Sequence, residues 1–346
     1  MDTFTQSREC REATDLLERS RKAVNPALRA AVDSLPASMR RIAAYHFGWQ
    51  DAGGTATAGN AGKAIRPALV LAAAGALGGR AEQVVRAAAA VELVHNFTLL
   101  HDDVIDRDPT RRHRPTAWTV FGIPDAILAG DALHSLALRI LAQDPHPAAT
   151  EAAGRLAACV VELCDGQHAD CAFEQRAEVG LDESLAMAEA KTGALLGCAC
   201  ALGALYAGAG ESAVAAMDAF GREAGLAFQL IDDLIGIWGD PADTGKPVGA
   251  DIAARKKSLP VVAALASGTP AAAELARVYA MEGPLDAGAL RRAADAVERA
   301  GGRDWAQSEA CVRMASAVDQ LARAVPDLAH AGDLLALAEF VTRRSR

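Results

Sequence analysis

The chain has 346 residues, of which 51% are hydrophobic and 4% aromatic, and its formal net charge is −9. This hydrophobic content allows a sizeable core without disulfides or structural metal, while the negative charge, with no basic stripe, argues against a nucleic-acid partner. Alanine-rich runs such as AAAAVELV recur along the chain. Because alanine favours helices, whereas strands favour β-branched and aromatic residues, the sequence predicts an all-α protein.

Three features bear on the cellular location. The seven cysteines show no CxxC pair and no regular spacing, so neither a disulfide framework nor a zinc site is expected. Residues 1–20 contain acids and no apolar segment of a secretory signal, and we expect them to be flexible. The longest uncharged apolar run, Ala194–Gly210, is shorter than the about 20 residues of a membrane-spanning helix, which favours a buried central helix. We therefore predict a cytoplasmic protein without a transmembrane segment.

The first predicted elements are one or two amphipathic helices over residues 8–50, with a break at Asn25–Pro26. The glycine-rich stretch 51–67 predicts a loop. Its last bases, Lys63 and Arg66, precede a short buried helix over 67–77, whose N-terminus favours anions; an anion site and a solvated basic loop both remain open. Further helices are predicted at 81–108, 124–142, 147–178 and 182–208, and in five or so segments after residue 260, with breaks at 268–270, 283–284, 301–302 and Pro326.

Three carboxylates lie near the end of the predicted helix 81–108, on Asp102, Asp103 and Asp106. Residues three and four positions apart share a helix face, and like charges repel unless cations lie between them. Oxygen ligands suit Mg²⁺, which takes one or two carboxylates plus substrate phosphates. The bases that can hold phosphate oxygens follow at once: Arg107, Arg111, Arg112 and Arg114. The pattern predicts a site for a diphosphate with magnesium.

The second stretch, Phe228–Pro260, repeats this order of acids and bases. Asp232 and Asp233 lie in an apolar helix, and the loop that follows carries Asp240, Lys246, Asp251, Lys256 and Lys257. Lys191 also lies in apolar sequence, where it needs a counter-ion that a diphosphate would supply. A single acidic pair on a helix is usually a solvated face. Two such clusters, each within apolar sequence and each followed by bases, favour a binding site.

Together these stretches resemble the trans-isoprenyl diphosphate synthases (the polyprenyl synthetase family), which include farnesyl and geranylgeranyl diphosphate synthases. The resemblance covers about residues 60–260 and rests on GKAIRP, VELVHNFTLLHDDVIDRDPTRR, GQHAD, KTGALLG, FQLIDDLIG and TGKPVGADIAARKKS, in that order. It implies the isoprenoid synthase fold, a bundle of roughly 10–13 helices around a central cavity. No linker of domain-boundary type interrupts residues 1–346, so a single domain is expected, and the family is commonly homodimeric.

The resemblance also implies a role for each matching residue. Asp102 and Asp106 resemble the magnesium ligands of the first motif, supported by Asp103, and Asp232 with Asp233 those of the second. Roughly three Mg²⁺ ions per site are implied, and Lys191 joins Asp102, Asp103, Asp106 and Asp232 as expected catalytic residues. The residues similar to those that bind the allylic diphosphate are Arg111, Lys191, Thr192, Gln229, Lys246 and Lys256. Those similar to the binders of isopentenyl diphosphate are Lys63, Arg66, His95 and Arg112. Asp251 resembles an acid that orients the lysines.

The implied reaction joins an allylic diphosphate to isopentenyl diphosphate. Magnesium and cationic side chains stabilise the leaving diphosphate, the allylic cation forms in an apolar cavity shielded from water, and the isopentenyl double bond attacks it before a proton is lost. Four positions depart from the family pattern. Gly236 replaces the last acid of DDxxD, Ala64 replaces a base, Ala61 replaces a glycine, and His113 stands where a glycine is usual.

Phe97 bears on product length because it lies one turn before Asp103, where the growing chain is expected. A bulky ring there would form a floor one helical turn, ~5 Å, below the acids. With the small Thr98 beside it, the resemblance implies a short product, C20 rather than C15. The alternative is that Phe97 is an ordinary core residue.

Other functions remain open from the sequence. A class I terpene cyclase shares the all-α fold and an aspartate-rich motif, but it needs no isopentenyl site, against which Lys63, Arg66 and His95 argue. A non-catalytic partner subunit is a second alternative, which the intact acids and Lys191 make less favourable. A helical scaffold protein does not explain charges clustered in apolar helices.

Overall fold

The structure is a computed structural model, and it describes residues 3–57, 62–239 and 249–342, with the side chains of residues 3–11, 341 and 342 excepted. The predictions for Ala61, Asp240 and Lys246 therefore lie outside the described residues. Within the described ranges the all-α prediction is confirmed, because the secondary structure consists of helices apart from one small hairpin and an isolated bridge. Six cysteines with described side chains are free thiols.

The helices are numbered in chain order through the described residues. They are α1 (Thr3–Asp33), α2 (Ala37–His46), α3 (Ile65–Ala76), α4 (Ala81–Ile105), α5 (Ala117–Phe121), α6 (Ile123–Ala142), α7 (Ala149–Glu174), α8 (Leu181–Ala188), a π-turn (Glu189–Gly193), α9 (Ala194–Tyr206), α10 (Glu211–Trp238), α11 (Ala250–Ala253), α12 (Leu259–Ala266), α13 (Pro270–Tyr279), α14 (Ala287–Arg299), α15 (Gly302–Ala324), a 3₁₀ turn (Leu328–Ala331) and α16 (Gly332–Thr342). Most predicted boundaries lie within a few residues of these.

The chain divides into two compact units, which we describe separately: the first comprises Met1–Val160, Cys198–Asp218 and Leu321–Leu337, and the second comprises Val161–Gly197, Ala219–Gln320 and Ala338–Arg346. The expected single domain stays a prediction. In the first unit, α4 packs chiefly against α6 and α3. Residues 87–91 of α4 are completely buried, since four alanines and a valine let neighbouring helices approach closely.

The break predicted at Asn25–Pro26 is wrong, because α1 continues through Pro26 to Asp33. A proline inside a helix removes one backbone hydrogen bond and costs about 3 kcal/mol. Val24, Leu28 and Val32 on the same helix are buried, and burial of such side chains contributes about 1.5–3 kcal/mol each. Packing therefore offsets the proline, and the chain turns only at Pro36, before α2.

A β-hairpin whose strands have two residues each follows α4, and we did not predict it from the sequence. Thr110 pairs with Pro115 and Arg111 with Arg114 in an antiparallel register. The two turn residues, Arg112 and His113, have φ angles of 52° and 60°. Two successive positive φ angles are the requirement of the turn type that best matches the twist of a hairpin. This geometry explains why a glycine is expected where the chain has His113.

The core of the second unit includes α12, α13 and α14. Helix α14 buries Ala289, Ala293, Ala296 and Val297, a spacing that places all four on one face. A second cluster joins Leu226, Leu230 and Leu234 of α10 to Leu259. It supports the stretch of α10 that carries Asp232 and Asp233.

The helical stretch Leu181–Tyr206 is long and apolar enough to cross a membrane by length and composition, but 67% of its most apolar part is buried inside the protein. This burial is what a central core helix requires. It agrees with the interpretation of the run Ala194–Gly210 as buried sequence.

Candidate active site

The first aspartate cluster lies at the C-terminal end of α4 in the first unit. The Asp103 side chain is 2% exposed, and its Oδ1 accepts a 2.6 Å hydrogen bond from Nε of Arg111. Burial raises the pKa of the Asp103 carboxyl, and the Arg111 guanidinium opposes that shift. Asp102 is partly buried and Asp106 is exposed. Asp103 is therefore buried and held by Arg111, while Asp102 and Asp106 on either side of it are more exposed.

The hairpin after α4 holds its arginines in different positions. Arg114 donates from Nη1 to the carbonyl of Tyr45 and from Nη2 to the carbonyl of Gln50, at 3.2 Å each, and lies over the Tyr45 ring. The Tyr45 hydroxyl donates back to the Pro115 carbonyl at 2.7 Å. These contacts tie the hairpin to the end of α2, so Arg114 serves the fold and leaves Arg111 and Arg112 at the cluster.

A basic group forms beside this hairpin from residues predicted to bind isopentenyl diphosphate. Nη1 of Arg66 lies 3.2 Å from Nε2 of His95. The Arg112 guanidinium lies so close to Gly62 that a Cβ on that glycine would be 2.4 Å from Nη2. Lys63 follows Gly62 and is exposed. The end of this loop, the start of α3, the hairpin and α4 thus bring three cations and an imidazole into one part of the first unit.

A buried polar layer that the sequence did not assign lies next to this basic group. Glu92 is 4% exposed, and its Oε1 accepts a 3.1 Å hydrogen bond from Nδ2 of Asn96. Burial raises the pKa of Glu92 to about 7, against a smaller opposing effect of Arg66. Burial and the nearby Arg112 and Arg111 lower the pKa of His46 to about 3. The imidazole is therefore neutral, and the layer carries no cation of its own.

The second aspartate cluster is built on α10 in the second unit. Asp233 is 3% exposed; its Oδ1 accepts from Nε2 of Gln229 and its Oδ2 from the backbone N–H of Leu259, at 2.8 Å each. Gln229 in turn accepts a 2.8 Å hydrogen bond from the Thr192 hydroxyl. Burial raises the pKa of Asp233 to about 6. Both oxygens of Asp233 are thus engaged within the protein, whereas Asp232 is exposed.

Lys191 lies in the π-turn between α8 and α9, a local widening of a helix that is frequent at functional sites. Its Nζ lies 2.5 Å from Oδ2 of Asp170, so the counter-ion expected for this lysine is a carboxylate of α7. The backbone of α7 approaches the backbone of the π-turn very closely at Gly166, where an added Cβ would lie 2.5 Å from the backbone nitrogen of Lys191. In the motif GQHAD, Gly166 therefore allows the close approach of the Lys191 backbone, and Asp170 pairs with the Lys191 side chain.

The two adjacent lysines after α11 have different surroundings. Nζ of Lys256 lies 3.9 Å from Oδ1 of Asp233, and the carboxylates around it, Asp233 foremost, raise its pKa against the effect of burial. Lys257 instead donates to the carbonyls of Phe173 and Arg176 at the end of α7. Lys256, Lys191, Thr192 and Gln229 line one small pocket of the second unit, with Asp170 and Asp233.

Phe97 is 8% exposed and lies in the first unit between two imidazole rings. Its ring centroid is 4.9 Å from that of His101, edge to face, and 5.3 Å from that of His134 on α6. The Thr98 hydroxyl donates to the carbonyl of His95 at 2.8 Å. The Phe97 ring is thus held in place by its neighbours. This is required of a ring that limits the length of the product, and it is equally true of an ordinary core residue.

The more accessible acids of the two clusters fit magnesium by the chemistry of their donors. Asp102, Asp106 and Asp232 offer oxygen only, as Mg²⁺ prefers. Among the described residues no three His, Cys, Asp or Glu side chains are grouped closely enough to hold an ion. Magnesium usually keeps several waters and binds through one or two carboxylates plus substrate phosphates, and the donor sets here fit that mode.

Some residues of the site carry little or no signal in the sequence. Glu92 is an acid within an alanine run, which marks it as unusual without assigning a partner, and Asp170 is a motif residue whose contact with Lys191 is 21 positions away. His46 has no signal at all. The roles assigned to the site residues stay predictions, for Lys246 as for those that the structure describes.

Comparison with known proteins gives concordant matches. The polyprenyl synthetase family model matches residues 52–325. The geranylgeranyl diphosphate synthase of Mycobacterium tuberculosis is 50% identical over 330 residues, 95% of this chain and 93% of that protein. The (2E,6E)-farnesyl diphosphate synthase of the same organism is 44% identical, covering 97% of this chain and 95% of that protein. The crystal structure of a polyprenyl synthetase from Streptomyces coelicolor A3(2) superimposes with a TM-score of 0.91 at 44% identity, over 95% of this chain and 99% of that one.

Proposed function

The chain belongs to the polyprenyl synthetase family and is a prenyltransferase, and we propose that the residues described above bind and activate its two diphosphate substrates. It condenses an allylic diphosphate with isopentenyl diphosphate to give a product of C15 or C20 length. The isoprenoid synthase fold is shared with the solved relatives. The relatives reported above are synthases, and none of the described contacts favours a cyclase or a non-catalytic subunit.

The roles proposed for the aspartates rest on one arrangement that occurs in both clusters. In each aspartate cluster one acid is buried and fixed by the protein, Asp103 by Arg111 and Asp233 by Gln229 and Leu259. The neighbouring acids, Asp102 with Asp106 and Asp232, lie partly or fully at the surface. A buried acid that the protein holds in place positions its helix, and the more accessible acids beside it are assigned to the metal. We therefore assign Asp233 to positioning and Asp232 to magnesium.

Magnesium, when bound, supplies Lewis-acid stabilisation of the leaving diphosphate, and roughly three ions are proposed. Lys191 and Lys256 add positive charge at the phosphate oxygens, and Thr192 and Gln229 fix their surroundings. Lys63, Arg66 and Arg112 hold the second diphosphate, with His95 orienting Arg66. Among the described residues none stands out as a dedicated base, and the departing diphosphate is proposed to accept the proton. Phe97 limits chain growth, which favours C20.

A homodimer and a cytoplasmic location are proposed on separate grounds. Ile123, Ile127 and Leu128 on α6 are 49%, 38% and 53% exposed, which is unusual for large apolar side chains and suits a second copy of the chain. Leu128→Glu is expected to convert the dimer to monomer, with the molar mass measured by light scattering. The burial of Leu181–Tyr206 and the free thiols support a reducing, aqueous compartment.

Product analysis tests the function. The protein is incubated with Mg²⁺, labelled isopentenyl diphosphate and, separately, the C5, C10 and C15 allylic diphosphates. Elongated diphosphates, lost when EDTA removes the metal, are the expected result. Cyclic hydrocarbons formed from the allylic substrate alone would identify a cyclase. Absence of turnover with all three starters would identify a partner subunit.

A further inference from the structure

Gly236 occupies the position where the second aspartate motif has its last acid, and the space beside it is filled. It lies on α10, one turn after Asp232. A Cβ placed on Gly236 would be 2.3 Å from Oδ2, 2.6 Å from Cγ and 3.0 Å from Oδ1 of Asp251. The carboxyl group of Asp251 therefore occupies the volume in which a side chain at position 236 would begin. An acid at 236 and the present placement of Asp251 exclude each other.

The segment that carries Asp251 is held independently of Gly236. Asp251 lies in the single turn of α11. Its backbone carbonyl accepts a 2.9 Å hydrogen bond from the backbone N–H of Lys256. Arg255 donates to the carbonyls of Met281 and Gly283 at 2.6 Å each. The Tyr279 hydroxyl donates to the Lys256 carbonyl at 3.2 Å. These contacts fix the backbone from which the Asp251 carboxyl reaches α10.

The Asp251 carboxylate acts on the same groups as the motif acids. It raises the pKa of Lys256 together with Asp233, Asp170 and Asp232. The negative charge of Asp251 is therefore close to Lys256, whose Nζ lies 3.9 Å from Oδ1 of the buried motif acid Asp233.

We propose that Asp251 supplies the third carboxylate of the second aspartate motif, through the space that Gly236 leaves open, for a magnesium–diphosphate ligand. The proposal rests on the proposed function for the identity of that ligand. It assigns the glycine a positive role, since Gly236 leaves room beside the motif for a carboxylate that comes from α11 instead of α10. Asp251 acts as a positioning residue for the metal and its bound waters.

The test moves the carboxylate back to α10. Asp251→Ala and Asp251→Asn each remove the charge, Gly236→Asp/Asp251→Ala restores a carboxylate from α10, and Gly236→Ala/Asp251→Ala is the matched control without one. The probe is inorganic pyrophosphate, titrated calorimetrically at several Mg²⁺ concentrations, with thermal unfolding of each variant measured in parallel. Product formation is measured separately.

Both single variants are expected to weaken magnesium-dependent pyrophosphate binding by about tenfold or more, as loss of an outer carboxylate does elsewhere. Gly236→Asp/Asp251→Ala is expected to recover most of that affinity and Gly236→Ala/Asp251→Ala none of it. Wild-type affinity in the isosteric Asp251→Asn variant, or equal affinity in the two folded double variants, would overturn the proposal. Failure of the wild-type protein to elongate any allylic diphosphate would instead refute the proposed function, while the calorimetric comparison of carboxylate positions still stands.

Discussion

Nε of Arg111, in the first strand of the hairpin, donates a 2.6 Å hydrogen bond to Oδ1 of Asp103, near the end of α4. A lysine would keep the charge but lose the rigid fork that can serve a carboxylate and a phosphate together. Arg111→Lys is therefore expected to lower kcat/KM by about tenfold or more with saturating isopentenyl diphosphate.

Arg107→Lys, the same change at an exposed position of the same segment, provides the control and is expected to leave steady-state kinetics within about twofold of wild type. Equal kinetics for the two variants would contradict the role of Arg111.

Removal of the Phe97 ring is expected to lengthen the product. The ring lies between the imidazoles of His101 and His134, and its loss opens space for at least one more isoprene unit. Phe97→Ala is assayed by chromatography of the dephosphorylated products. Phe47→Ala is a suitable control, because Phe47 is completely buried and stacked on Trp49. That variant should lose stability by about 3–5 kcal/mol and keep its product length; an unchanged product in Phe97→Ala would make Phe97 an ordinary core residue.

Glu92 is expected to make stability fall with rising pH. Its pKa is about 7 in the folded protein against an ordinary value of 4.5, so between these pH values the folded state binds more protons than the unfolded state. The free energy of unfolding consequently decreases as pH rises through this window. Glu92→Gln should be more stable than wild type near about pH 8, by up to ~3 kcal/mol, and similar near about pH 4.

Denaturant unfolding at both pH values measures the effect, and the opposite titration of His46 cancels in the difference because both proteins retain it. Glu82→Gln, an exposed position on the same helix, should show no such change. An equal gain for Glu92→Gln at both pH values would attribute the effect to packing.

His113→Gly is expected to stabilise the protein by about 1 kcal/mol. His113 has a φ of 60°, in the left-handed region that costs a side chain about 1–2 kcal/mol, part of which glycine returns as backbone entropy. Thr110→Gly, at a strand position of the same hairpin, should be destabilising. Thermal unfolding measures both changes in stability. A midpoint for His113→Gly below that of the wild type would show that the histidine contributes a contact that outweighs the strain.

The helices were predictable because alanine-rich segments and Gly–Pro punctuation mark them locally. Pro26 was misjudged because its cost is offset by burial of Val24, Leu28 and Val32, which a local pattern does not contain. The hairpin at Thr110–Pro115 was missed because strands of two residues are too short to show alternation.

The site was predictable at the level of residue types and less so at the level of partners. Two acidic clusters followed by bases indicated diphosphate and metal. The sequence did not indicate that Asp170 would neutralise Lys191 or that Arg114 would anchor the hairpin to Tyr45, because these contacts join segments far apart in the chain. It marked Gly236 as a departure without showing that Asp251 fills its place.

The π-turn Glu189–Gly193 is equivalent to one residue inserted into an otherwise continuous α-helix. An α-helix advances about 100° per residue, and the widened turn absorbs one residue without rotating the helical residues on either side of it. Deleting one residue here would restore a regular helix and change the directions of the side chains within the turn. Lys191 and Thr192 could not then both keep their partners, Asp170 and Gln229. The length of this helix is consequently as much a part of the site as any charged side chain. In a scan of single-residue deletions along Leu181–Tyr206, those at these five positions should cost the least stability and still lower the activity.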